Sequence, residues 1–125
     1  MVNELDLQTR LLVFDLQDKK TLLNNSKKLV KNTLFALTDS NYNGENREYF
    51  VNGKNQLDNA MDSFESRCFK NNELNVDALS NFIKNEIYFS RQHDNYYNKI
   101  DIRISNEVIN GKLLVFVSVA DVVSY

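Results

Sequence analysis

The chain has 125 residues, 42% of them hydrophobic and 26% charged, with no proline, no tryptophan and three glycines. That length fits one domain with a modest core. The composition excludes a collagen-like chain, a Gly/Pro-rich linker and a disulfide scaffold. Fifteen basic and seventeen acidic side chains leave a formal charge of -2, which argues against a dedicated duplex binder.

The lone cysteine, Cys68, has no intramolecular partner, which points to a reducing compartment. No apolar run is long enough to span a membrane as a helix. The opening MVNELDLQTR has neither the basic start nor the apolar centre of a signal peptide. These features together predict a cytoplasmic protein. Asparagine supplies 19 of the 125 residues, a bias of AT-rich coding sequences such as those of low-GC bacteria and their phages.

Residues 4–37 carry the longest helical pattern. Leu5, Leu12, Leu16, Leu23, Val30, Leu34 and Leu37 fall on one arc of a 3.6-residue period. Asn3 is placed to cap, with Glu4 and Asp6 in the first turn. Leu7, Leu11, Phe14, Leu22 and Leu29 widen the stripe to about half the circumference. One continuous helix of this length would reach about 50 Å, against about 28 Å for the globule. Either it projects against a partner or it breaks, and Asn24-Asn25-Ser26 is the favoured break. Leu11-Leu12-Val13-Phe14 also reads as a short buried strand.

Residues 38–47 read as a loop and 48–51 as a short strand. A second helix is expected over 55–69, with Asn55 capping and Leu57, Met61, Phe64 and Cys68 inside. Asn71-Asn72 separates it from a third helix over 76–89, capped by Asn75, with Leu79, Phe82, Ile83 and Ile87 inside. Residues 90–98 form a polar, aromatic loop.

Each glycine follows an asparagine. Asn110-Gly111, flanked by alternating residues, predicts a two-residue type I′ hairpin. That turn pairs Ile109 with Lys112 and fixes every later pair. One face then collects Ile100, Ile102, Ile104 and Val108 against Val119, Val117 and Leu113, with Val115 opposite Asn106. The other holds Asp101, Arg103, Ser105 and Glu107 with Ala120, Ser118, Phe116 and Leu114. A slip of one residue would mix the two sets.

Catalytic and metal chemistry find little support. Structural zinc sites draw on several cysteines and histidines, and here there is one of each, Cys68 and His93. No Gly-rich phosphate loop is present. No cofactor is expected, and no metal. His93 as a general base is the enzyme reading, and a solvent-facing loop histidine is its plain counterpart.

Two regions stand out as candidate binding elements. Lys20, Lys27, Lys28 and Lys31 fall in the N-terminal helical segment, placed to attract nucleic acid or an acidic protein. Arg91, His93, Tyr96 and Tyr97 concentrate hydrogen-bonding and aromatic groups in one loop. A solvated helix face and an ordinary connection are the plainer readings of the two.

The expected fold is α+β. It has a long or broken N-terminal helix, two further helices and a C-terminal antiparallel hairpin, with a third strand near 48–51. The leading functional expectation is a non-enzymatic interaction protein of a phage or other mobile element, acting on a protein partner or on itself. An inhibitor of a host protein and a virion assembly subunit are its two forms. A nucleic-acid or nucleotide binder using the lysines and Tyr96-Tyr97 is the second class. No membrane partner is expected.

Overall fold

A computed structural model describes residues 2–39, 58–91 and 99–124. The fold is α+β. Strand β1 (Val2–Asp15) leads through a turn at 16–21 into helix α1 (Leu22–Asp39). Residues 58–62 are helical, and after a turn at Ser63 comes the short α2 (Phe64–Cys68). The strand pair β2 (Phe69–Lys70) and β3 (Glu73–Leu74) precedes helix α3 (Val76–Arg91). Strands β4 (Lys99–Ile109) and β5 (Lys112–Ser124) complete the described chain.

The hairpin forms in the expected register. Ile109 faces Lys112, Asn106 faces Val115, and the ladder continues to Lys99 opposite Val122. Asn110 and Gly111 both adopt positive φ, 52° and 77°, as a type I′ turn requires. β5 is the central strand of a three-stranded antiparallel sheet ordered β1-β5-β4.

The third strand is β1, in a segment whose spacing predicts helix. Asn3 is not a helix cap; it pairs with Val123, and Glu4 with Val122. The physical reason lies in Leu11-Leu12-Val13-Phe14, where both faces of the strand are apolar. The period-two alternation that marks a strand is thereby erased, and leucines seven apart imitate a helical stripe.

Nor does the chain break at Asn24-Asn25-Ser26. Asn24 and Asn25 lie in the first turn of α1, where poor helix propensity does least harm, and Ser26 follows directly. Asn25 N–H donates to the Thr21 carbonyl at 2.8 Å, and Asn25 Nδ2 donates to Thr21 Oγ1 at 3.1 Å. The interruption falls earlier, at 16–21, where Gln17 N–H donates to the Asp15 carboxylate at 3.1 Å. The segment expected as a strand at 48–51, and Asn55 and Leu57 of the expected second helix, lie outside the described residues.

The helices cover one face of the sheet. Leu12 and Phe14 of β1 and Leu113, Val115, Val117 and Val119 of β5 point into the core. They meet Val30, Leu34 and Leu37 of α1, Phe64 and Cys68 of α2, and Leu79, Phe82, Ile83 and Ile87 of α3. Each such side chain contributes about 1.5–3 kcal/mol through burial. Phe64 meets Phe82 edge to face at 5.4 Å. Asn75 caps α3 as expected, its Oδ1 accepting from Ala78 N–H at 3.0 Å. Asn71 and Asn72 are more than a separator: both take positive φ and turn β2 into β3.

Candidate functional site: the outer face of the sheet

In an antiparallel sheet, residues directly opposite one another share a face. The helix-covered face takes Leu12 with Val115 and Phe14 with Leu113. The outer face therefore takes Leu11 with Phe116 and Val13 with Leu114. Those four side chains form a two-by-two apolar block. Leu11 is 50% exposed, Val13 45% and Phe116 40%, and Leu114 is half-buried.

The border of the block is polar on three sides. Toward the hairpin turn, Asp15 stands opposite Lys112. At the other end Thr9 Oγ1 and Ser118 Oγ share a hydrogen bond of 3.1 Å, beside an Arg103–Asp101 ion pair of 3.1 Å. On the β4 side, Ser105 and Glu107 flank Phe116 and Leu114. The fourth side is β1 itself, beyond which no described strand lies. An apolar centre with a polar rim is the anatomy of a protein-docking surface.

The residues singled out from sequence do not converge on this face. Lys27, Lys28 and Lys31 are exposed on α1, while Lys20 sits in the preceding turn, outside the helix. Lys31 Nζ is engaged with Asp58 Oδ1 at 2.9 Å, an exposed pair linking α1 to the helical residues 58–62. Such pairs contribute little to stability. Arg91 ends α3; His93, Tyr96 and Tyr97 lie outside the described residues.

Cys68 is buried with its Sγ 3.9 Å from the Ala78 carbonyl oxygen. Burial pushes its thiol up to about 11, against the opposing pull of Arg67, so it stays protonated at neutral pH. Arg67 lies over the Phe82 ring at 4.7 Å and reaches Glu86 Oε1 at 3.6 Å. That cluster fastens α2 to α3. A shallow groove of about 430 Å³ is lined by Asp62, Glu65, Ser66, Phe69, Asn71 and Asn72. Its Ser66 hydroxyl donates to the Ser63 carbonyl at 3.0 Å. No described group of three or more His, Cys, Asp or Glu side chains is placed to hold a metal. No helix among the described residues is long and apolar enough to cross a membrane.

The molecule thus presents an antiparallel sheet with helices on one face and an apolar block on the other. No protein-family model matches the chain, no curated protein matches it, and no solved structure matches its fold.

Proposed function

We propose that this chain is a non-enzymatic interaction protein that docks a protein on the outer face of its sheet. One observation carries the reading: Leu11, Val13, Leu114 and Phe116 lie together, bordered by polar pairs on three sides and, on the fourth, by an edge of β1 that pairs with no described strand. Isolated exposed apolar residues are ordinary on a protein surface, whereas a contiguous rimmed patch marks a contact site. The balanced charge and the engagement of Lys31 favour a protein partner over nucleic acid.

The test is sedimentation of the labelled protein in an extract of the cell that makes it. At a trace concentration of labelled chain, too low for it to pair with itself, wild-type chain should sediment faster in that extract, which supplies unlabelled copies and other proteins alike, than in buffer. Combined Leu11→Ser, Val13→Ser and Phe116→Ser should abolish that difference while keeping the far-ultraviolet circular dichroism of the fold. A shift that survives the triple substitution rejects this face as the site.

A further inference from the structure

We infer that the partner on the β1 side is a second copy of this chain, with the two β1 strands paired antiparallel about a two-fold axis at Leu12. This rests on reading the outer face as the docking site and names what fills its open side.

Backbone geometry sets the starting point. Leu16 N–H donates to the Gly111 carbonyl at 3.0 Å, so even-numbered residues at this end of β1 turn their backbone groups toward β5. Backbone groups of successive residues in an antiparallel strand point to alternate sides. Thr9, Leu11 and Val13 therefore aim their N–H groups at the edge beyond which no described strand lies. Leu11 and Val13 are also the two apolar side chains that end the block on its unrimmed side. A strand laid beside β1 pairs those backbone groups and extends the apolar block in the same step.

The edges of the sheet differ in how they resist such pairing. Along its outer face β4 carries Asp101, Arg103 and Glu107, charges that blunt an edge. The β1 run Leu7–Phe14 has no lysine, proline or glycine, and the irregularity of that strand is confined to Glu4–Asp6. Its one charge is Arg10, opposite Val117 on the other face.

Self-pairing of this edge is complementary in one register. A two-fold axis at Leu12 sets Leu11 of each copy against Val13 of the other, and Arg10 against Phe14. Centring on Arg10 would oppose two arginines, which is destabilising. Centring on Leu11 would set Val13 against Thr9, and centring on Val13 would set Leu11 against Asp15. Only the Leu12 axis matches apolar with apolar at both exposed positions. Isologous pairing of this kind closes as a dimer and leaves no β1 edge for further growth.

Sedimentation equilibrium of the purified full chain should show a dimer. Leu11→Pro should convert it to a monomer with the fold retained, because the N–H it removes aims away from the sheet. Should Leu11→Pro not fold, Val13→Lys carries the same test from an exposed position. Mixing Leu11→Cys with Val13→Cys protein should give a disulfide-linked pair faster than either variant alone, with the buried Cys68 silent. A wild-type monomer at all concentrations overturns the inference. So does a dimer untouched by both edge substitutions, or cross-linking with no preference for the mixture. A monomer whose outer face still contacts another polypeptide overturns the second copy and leaves the docking reading standing.

Discussion

Leu11 of β1 stands directly opposite Phe116 of β5 on the outer face of the sheet. The tetrapeptide Leu-Leu-Val-Phe occurs at 11–14 and again at 113–116, and the two copies pair with each other antiparallel. Leu12 faces Val115 inside, Val13 faces Leu114 outside, and Phe14 faces Leu113 inside. The same four-letter string thus builds part of the core and all of the apolar block.

That alternation predicts a sharp contrast between neighbours. Leu12→Ala should cost about 2–5 kcal/mol, since Leu12 is wholly buried. Leu11→Ala, half exposed, should stay within about 1 kcal/mol. Urea unfolding of the two variants, with the purified protein held at one concentration, checks the difference.

The hairpin turn gives a second prediction. Gly111 sits at φ 77°, where a side chain costs about 1–2 kcal/mol. A Cβ there would also approach Gln17 Nε2 to 2.6 Å, but that amide is the end of a flexible side chain. Gly111→Ala should therefore destabilise, and adding Gln17→Ala should recover only a minor part. Full recovery in the double variant would place the strain in the side-chain clash and not in the backbone.

Glu86 supplies a pH dependence. Burial raises its carboxyl above the ordinary 4.5, against the pull of Arg67 and the hydrogen bond from it. The folded state accordingly holds this proton more tightly than the unfolded chain. The stability it contributes is complete below pH 4.5 and is lost as the pH rises through the folded value. Glu86→Gln should flatten that part of the stability–pH curve. Arg67→Met should raise the Glu86 value further, read by NMR titration of the carboxyl carbon.

Cys68 works the same way at the alkaline end. Its contribution is complete below pH 9.0 and fades as the pH climbs toward about 11. A thiol reagent should leave the native protein unmodified at neutral pH and react fully after unfolding in urea. Rapid modification of the native chain would contradict the burial of Cys68 between α2 and α3.

Much of the architecture was legible in the residues. Asn110-Gly111 named the turn, and the pairing it implied sorted the strands into faces that the structure reproduces, although Val108 at the turn end remains 58% exposed. Helical spacing placed Met61, Phe64, Cys68, Leu79, Phe82, Ile83 and Ile87 in the core, where they lie. β1 was obscured by the property that makes it interesting. A strand with one polar face announces itself by alternation, and a strand apolar on both faces does not. Leu11 therefore falls into a helical stripe, while the competing reading of Leu11-Leu12-Val13-Phe14 as a short strand agrees with β1 but treats that strand as buried and so hides the exposed column. Phe116 and Leu114 had been sorted onto the outer face, but the polar β4 residues beside them concealed their value. The repeated Leu-Leu-Val-Phe was the available signal, since two such strings that pair antiparallel must expose one apolar column each.

The central claim is that another polypeptide packs against the outer face of the sheet at β1. Its most direct test is site-specific photo-cross-linking in the cell that makes the protein, with the photoreactive residue at Leu11 in one variant and at exposed Tyr88 of α3 in another. Cross-linked products, whether a second copy or a different protein, should form from position 11 and not from position 88. Equal products from both positions, or none from position 11, would contradict it.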